Sequence, residues 1–386
     1  MVNGFDRQIE RRGTDSVKWN LYAPDVLPMW VADMDFASPP EIISALHGRV
    51  AHGVFGYPSD PQELKEVFCA RLLERYGWAV SPEALVLLPD VSVGFNLGCQ
   101  AAGRPDEGIL IFTPIYPPML RVPGNAGMVG QLVALDSDTS GYSTVDFDKM
   151  RAAISPCTRV FLLCSPHNPV GRVWRRDELT QMANICLEHD LIIVSDEIHC
   201  DLIYSGVQHT PIATLSPEVA ARTITLMAPS KTFNIAGLKC ALAVIPNPEL
   251  RRRFVGSCRG LLPSVNVLGL TAALAAYRDS DEWLKALLAY LEGNRDRLAE
   301  FVRVELPGVR MALPEATYLA WLDCRAVDTD GLPPHEFFLD RARVAFNNGA
   351  DFGTNGQGFV RLNFGCPRTT LDLGLERLRG ALKAGR

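Results

Sequence analysis

The sequence lacks the features that mark several large classes of protein. No apolar run approaches the roughly 20 residues that a membrane-spanning helix needs. Residues 1–20 are too polar for a secretory signal. The net charge is -6 and there is no basic run, so nothing favours nucleic acid or an anionic membrane as a partner. We therefore expect a cytoplasmic protein with neither partner.

Metal and disulfide signals are also missing. The ten cysteines are scattered, without a CxxC pair and without histidines at ligand spacing. Several cysteines lie in apolar runs, where a free thiol packs as a small hydrophobic group. No strand-like run is followed by GxGxxG, so a nicotinamide dehydrogenase is disfavoured. We expect no structural metal and no disulfide framework.

What the sequence does contain is a series of short apolar runs alternating with helical patterns. With 47% hydrophobic and 21% charged residues, the composition is that of an ordinary globular protein. The runs, each five or six residues long, are "ALVLL" (84–88), "GILIF" (108–112), "RVFLLC" (159–164), "LIIVS" (191–195), "RTITLM" (222–227) and "CALAVI" (240–245). Continuous apolar strands between helices predict a mostly parallel sheet covered on both faces.

The helical patterns and a change of texture predict the domain organisation. In residues 61–77 apolar side chains recur every three or four positions, and residues 175–190 repeat the pattern. After about residue 265 come a long helical region (271–304), two strand-like segments and a final helix. We expect an α/β fold with an N-terminal segment (1–45), a large domain (46–270) and a small α+β domain (271–386).

Polar residues that directly follow the apolar runs are the candidates for chemistry, because open α/β sheets bind ligands beyond the carboxyl ends of their strands. Asp196 ends a buried run, where an unpaired carboxylate is unfavourable unless it holds a cation. Lys231 follows another run, and a lysine in a desolvating cleft becomes a nucleophilic amine. Taken singly, both also fit structural roles.

Further candidates lie at other strand ends. The amides of Val91 and Ser92 begin a helical stretch and suit a phosphate, together with Ser230. Tyr116 suits stacking on a flat ring. Arg361, in a strand-like segment, suits either a structural or a substrate carboxylate.

These residues fall within motifs that resemble a known family. The motifs are "WVADMDFASPPEI", "GVFGYP", "SPHNPVGRVW", "SDEIHCDLIY", "APSKTFNIAGLK", "PEATYLAWLD" and "FVRLNFGCPR". Together they resemble fold-type I pyridoxal-phosphate (PLP) enzymes of the class I/II aminotransferase group, and within it the MalY/PatB branch of cystathionine β-lyase-like C-S lyases. The resemblance spans Trp30 to Arg368 and implies the aspartate aminotransferase fold.

The resemblance implies a role for each residue around the cofactor ring. Lys231 would hold PLP covalently and then move the Cα proton of the substrate. Asp196 would pair with the pyridine nitrogen, Tyr116 would stack on the ring, and Asn168 would hydrogen-bond its phenolic oxygen. His199 occupies the place of a tyrosine in many aminotransferases, near the same oxygen.

At the phosphate, the resemblance implies contacts from the Val91 and Ser92 amides, from Ser230 and from Lys239, where relatives often have arginine. This sequence departs from the pattern beside them: Asp90 replaces the usual glycine, an unwelcome charge unless it points away. Ala228 and Ala316 replace the usual serine and glycine.

For the substrate, the resemblance implies that Arg361 binds the carboxylate, with backbone near Ala32 closing over it. Tyr57 would reach the site of a second subunit, so the active unit would be a homodimer with a shared site.

The branch implies a β-eliminating C-S lyase that acts on cystathionine or other cysteine S-conjugates. An aminotransferase shares the early steps, and no residue named above separates the two. A third possibility is a binding or regulatory protein that keeps the fold and cofactor with little catalysis.

Overall fold

The centre of the molecule is a seven-stranded sheet in a computed structural model that describes residues 4–384. In spatial order its strands are Leu85–Leu88, Ala241–Val244, Thr223–Met227, Ile192–Asp196, Thr158–Cys164, Gly108–Thr113 and Val129–Ala134. Ala241–Val244 runs antiparallel to both of its neighbours, and the other pairings in this sheet are parallel. The predicted α/β class with a mostly parallel sheet is confirmed. Residues 1–3 and 385–386, the outer ends of the first and third predicted units, lie outside the described residues.

All six predicted runs form strands of this sheet. The seventh, Val129–Ala134, was not predicted because it lies at the sheet edge, where only Val133 is buried and no apolar run marks it. Alternation within the strands explains why both faces are apolar. Ile109 and Ile111 pack into one buried cluster, and Leu110 and Phe112 into another on the opposite face.

Helices cover both faces and link the strands. The longer ones are Pro40–Ala51, Gln62–Tyr76, Val91–Ala102, Arg176–Glu188, Pro248–Ser257, Val267–Asp279, Asp281–Glu305 and Arg368–Ala384. Shorter α-helices are Val17–Asn20, Pro117–Leu120, Val122–Ala126, Phe147–Ala152, Pro217–Ala220, Pro229–Thr232 and Pro334–Phe337. None of the helices within residues 4–384 has the length and apolar character needed to cross a membrane.

The predicted helical region 271–304 is two helices, and the break falls at Ser280. Val267–Asp279 ends just before it and Asp281–Glu305 begins just after it. The buried Ser280 hydroxyl donates to the Ala275 carbonyl at 3.1 Å. A serine hydroxyl bonded to backbone competes with the helical hydrogen bonds, and one helix ends and the next begins at this residue.

A second, four-stranded antiparallel sheet brings Arg361 to the site. Its order is Arg310–Met311, Leu319–Asp323, Phe359–Asn363 and Asn347–Asn348. The N-terminal segment joins this part of the molecule, because Leu27–Pro28 pairs in parallel with Val344–Ala345. The loop after Pro28 therefore runs between the two sheets.

Candidate active site

Eleven of the twelve residues given a site role from the sequence line one cavity of about 330 Å³ at the carboxyl ends of the central strands. They are Ala32, Val91, Ser92, Tyr116, Asn168, Asp196, His199, Ser230, Lys231, Lys239 and Arg361. Adjacent parallel strands carry Asp196 and the turn containing Asn168, because Cys164 and Asp196 are paired in register. We call Asn168, Asp196, His199 and Arg361 the inner end, since all four are buried. Asp90, Ser92 and Lys239 form the outer end.

Lys231 lies in the short helix Pro229–Thr232, directly after a central strand. Its Nζ donates to the Ala32 carbonyl at 2.7 Å, and the Tyr318 hydroxyl donates to the same oxygen at 2.9 Å. The ammonium end is enclosed, and this burial lowers the pKa of Lys231 although the charge of Asp33 opposes the shift. The amine is thereby closer to its neutral, nucleophilic form at neutral pH than a surface lysine is.

Asp196 ends the strand Ile192–Asp196 in a fully enclosed position. Within residues 4–384 its carboxylate receives one hydrogen bond, from the Ile198 N–H at 3.1 Å, and forms no salt bridge. Burial raises its pKa to about 7. A carboxylate held in this way favours a cationic partner that the described residues do not supply.

Arg361 is a buried cation held by neutral groups. Its Nη1 donates to Asn168 Oδ1 at 3.0 Å, and its Nη2 donates to Asn347 Oδ1 at 2.7 Å and to the Trp30 carbonyl at 3.2 Å. Its Nε has no hydrogen-bond partner among residues 4–384. Burial lowers the pKa of Arg361 to about 10. Because no carboxylate of the described chain neutralises it, this guanidinium suits an anionic ligand.

His199 and Tyr116 complete the inner part of the cavity. His199 Nδ1 is buried without a partner among the described residues, and its ring meets Tyr318 edge-on at 6.2 Å. Burial lowers the pKa of His199 to about 3, so the imidazole is neutral. Tyr116 precedes the helix Pro117–Leu120, and burial raises the pKa of its phenol.

At the outer end, Asp90 does not point away from the predicted phosphate site. Its carboxylate caps the helix Val91–Ala102 by accepting from the Ser92 N–H at 2.7 Å. Its other oxygen accepts from Lys239 Nζ at 2.8 Å. Two of the groups assigned to the phosphate are therefore bonded to this side chain.

Tyr57 is the one predicted site residue outside the cavity. Its side chain is fully exposed, next to the exposed Val54 and Phe55. Among residues 4–384, nothing packs against these three residues closely enough to bury them.

Sequence reasoning missed Asn347 and Trp30, which hold Arg361. Asn347 begins a strand, but it lies in the stretch "FNNGADFGTNGQG", whose asparagines and glycines are all typical of a loop. Only the pairing of Asn347 with Arg361 across two strands distinguishes it. Asn363, also missed, donates to the carbonyls of Val31 and Asp33 and so holds the segment on either side of Ala32.

A seven-stranded sheet of this order, with a lysine and an unpaired aspartate at its strand ends, defines the class of fold-type I PLP-dependent enzymes. The chain belongs to the family "Aminotransferase class I and II", whose model matches residues 24–378. It is 40% identical to cystathionine beta-lyase PatB of Bacillus subtilis (strain 168), over 98% of this chain and 99% of that protein.

Two solved structures extend the likeness to three dimensions. The crystal structure of OvoB has a TM-score of 0.94 and 46% identity, covering 99% of this chain and 100% of that one. Cystalysin from Treponema denticola, whose structure contains pyridoxal 5'-phosphate, has a TM-score of 0.95 and 34% identity, covering 100% of both chains. The resemblance to the MalY/PatB branch is thereby confirmed.

Proposed function

We propose that this protein is a PLP-dependent C-S β-lyase that cleaves cystathionine or a related cysteine S-conjugate. With water, the products are a thiol, pyruvate and ammonia. The observation that carries the proposal is the enclosed cavity, where an amine, an unpaired carboxylate and an unpaired guanidinium meet. The identity to PatB supports the lyase reaction in particular.

The residues of the cavity fit the cofactor. The buried Asp196 carboxylate suits a protonated pyridine nitrogen, and Tyr116 suits the ring face. Asn168 and His199 suit the phenolic oxygen of the cofactor, and Lys231 suits its covalent attachment. When bound, PLP supplies an electron sink that stabilises negative charge on the substrate Cα.

The phosphate of the cofactor belongs at the outer end. The helix Val91–Ala102 offers its first amides, those of Val91 and Ser92, and its N-terminal dipole favours an anion. Ser230 and Lys239 line the same cavity.

Arg361 orients the substrate by binding its carboxylate. The neutral oxygens of Asn168 and Asn347 hold the guanidinium plane, and its Nε remains available for the ligand. The backbone around Ala32 closes the other side. Binding the substrate carboxylate at the inner end, apart from the phosphate at the outer end, fixes which substrate bond faces Lys231.

Lys231 removes the proton from the substrate Cα. Its lowered pKa moves the amine towards the neutral form that a base requires. Its hydrogen bond to the Ala32 carbonyl aims Nζ across the cavity rather than towards solvent. The electron pair left at Cα then expels the thiolate from Cβ.

A transaminase reaction is the second candidate, because the matched family carries that description. The test gives the purified protein L-cystathionine with and without a 2-keto acid. We expect pyruvate and free thiol without the acceptor, and neither from the Lys231→Ala variant. Turnover that requires the acceptor would assign the protein to the transaminases.

We propose further that the active unit is a homodimer in which Tyr57 serves the partner's site. The exposed apolar loop with Val54, Phe55 and Tyr57 supports this, since such side chains favour burial against another surface. Tyr57→Ala and Lys231→Ala should each be nearly inactive. Unfolding and refolding them together in equal amounts should restore about a quarter of the wild-type activity, because random pairing leaves one intact site in half of the dimers. A Tyr57→Ala variant with full activity would exclude this arrangement.

The division into an N-terminal segment (1–45), a large unit (46–270) and a small unit (271–386) is likewise a proposal. The distribution of the two sheets supports it, since one lies within residues 85–244 and the other within 310–363. We also propose a cytoplasmic location, which the ten free thiols favour.

A further inference from the structure

The side chain of Asp90 holds donors that the cofactor's phosphate needs. One carboxylate oxygen accepts from the Ser92 N–H at 2.7 Å and the other from Lys239 Nζ at 2.8 Å. Burial raises the pKa of Asp90, but the bonds from Lys239 and Ser92 outweigh it and hold the pKa below its ordinary value. The group is therefore a carboxylate at neutral pH.

Geometry and charge both mean that the Asp90 carboxylate and a phosphate compete for the same donors. A backbone N–H has one hydrogen to donate, so the Ser92 amide cannot fully serve the carboxylate and a phosphate together. The Lys239 ammonium has three donors, but its single charge is already balanced by Asp90. A phosphate entering the site therefore meets the carboxylate anion of Asp90.

The geometry points to Asp90 as an internal competitor for the cofactor's phosphate, which lowers the selectivity of this site for PLP over the unphosphorylated pyridoxal. This inference rests on the proposed placement of the phosphate at Ser92 and Lys239. When phosphate binds, the carboxylate must give up the Ser92 amide and share Lys239. An uncharged residue at position 90 removes the competition.

The test measures binding, not turnover. Full-length protein stripped of cofactor is titrated with PLP and, separately, with pyridoxal, followed by absorbance and protein fluorescence. Asp90→Asn keeps an oxygen that caps the helix but removes the charge, and Asp90→Gly removes both. We expect the dissociation constant for PLP to fall on the order of tenfold in each variant, the scale of one like-charge contact partly exposed to solvent. That for pyridoxal should stay within about twofold, since pyridoxal has no phosphate.

The matched control is Asp146→Asn. Asp146 also caps a helix, accepting from the Asp148 and Lys149 amides, and also lies close to a lysine, but it does not line the cavity. It should change neither dissociation constant. If it tightened PLP binding as much as Asp90→Asn did, overall charge would explain the effect and the inference would be overturned.

Lys239→Ala separates the inference from the placement on which it rests. If this variant binds PLP more weakly while both Asp90 variants bind it no more tightly than wild type, the phosphate is where we place it and Asp90 does not compete. If Lys239→Ala leaves the ratio of PLP to pyridoxal affinity unchanged, the placement of the phosphate itself is wrong. Weaker binding in Lys239→Ala with tighter, phosphate-dependent binding in the Asp90 variants supports both.

Discussion

The inner and outer ends of the cavity differ in whether their charged side chains are paired. At the inner end, Asp196 and Arg361 are 3% and 4% exposed, and neither forms a salt bridge within residues 4–384. At the outer end, the Asp90 and Lys239 side chains are 31% and 55% exposed, and they pair with each other. One end keeps buried charges available for a ligand, whereas the other satisfies its charges internally.

This difference means that the inner end lowers the stability of the folded protein, whereas the outer end affects how tightly an anion binds. Burying a charge without a partner lowers stability until a ligand supplies the partner. A half-exposed ion pair contributes little to stability but must be rearranged when an anion arrives. We therefore expect substitutions at the inner end to change catalysis and folding strongly, and those at the outer end to act mainly on cofactor binding.

The largest effect is expected for Lys231→Ala, because Lys231 lies between the two ends and is affected by charges from both. Turnover should fall about 10³-fold or more, since both a nucleophile and a base are removed. Borohydride reduction followed by mass spectrometry should place the cofactor on the peptide containing Lys231 in wild type and nowhere in the variant. Lys149→Ala, at a surface lysine bonded to Asp136, is the control. Cofactor found on another lysine would refute the assignment.

A strong but smaller effect is expected for Arg361→Lys at the inner end. The charge stays, but the planar fork held by Asn168 and Asn347 is lost, so kcat/KM should fall about 100-fold, mainly through KM. Steady-state kinetics on L-cystathionine measures this. Arg325→Lys is a matched control, because Arg325 lies over the Phe359 ring as Arg361 lies over the Phe352 ring, but it pairs with Asp323. Equal losses in both variants would mean that Arg361 has only a structural role.

Much of the inner end could be predicted from the sequence, since its residues follow apolar strands that must be buried. A polar residue at the end of such a run, as at Asp196, lies at the carboxyl edge whatever the details of packing. Asn347 could not be found in this way. Its contact with Arg361 depends on the register between two short strands separated by an irregular loop, which no local pattern specifies.

The fold was predictable for a similar reason, except for the strand at the edge of the central sheet. Central strands carry continuous apolar runs, whereas the edge strand Val129–Ala134 is mostly exposed and carries none.

At the outer end the sequence showed that Asp90 is charged but not where its side chain points. Its pairing with Lys239 joins residues 149 positions apart, a contact that depends on tertiary structure.

Asp196→Asn should stabilise the cofactor-free protein. Because the folded pKa of Asp196 is raised to about 7, the folded state binds its proton more tightly than the unfolded state does. Wild-type stability is therefore lost as pH rises from about 4 to about 7, and at pH 8 the variant should be more stable by about 4 kcal/mol. Urea unfolding of the cofactor-free proteins between pH 4 and pH 8 measures this. A difference that does not shrink towards pH 4 would show that burial of this charge is not its cause.

The smallest effect is expected for Asp90→Asn in the same cofactor-free measurement, and its sign should be opposite. The folded pKa of Asp90 is lowered, so its charge stabilises the protein at neutral pH and this contribution disappears as pH falls through the folded pKa. Asn keeps the helix cap, and a partly exposed ion pair contributes little, so the variant should lose less than about 1 kcal/mol at pH 7. Raising salt to about 1 M should reduce even this difference, because partly exposed charges are screened. A loss of several kcal/mol that salt does not change would mean that the Asp90–Lys239 pair is a structural element like those of the core, and the contrast between the two ends would fail.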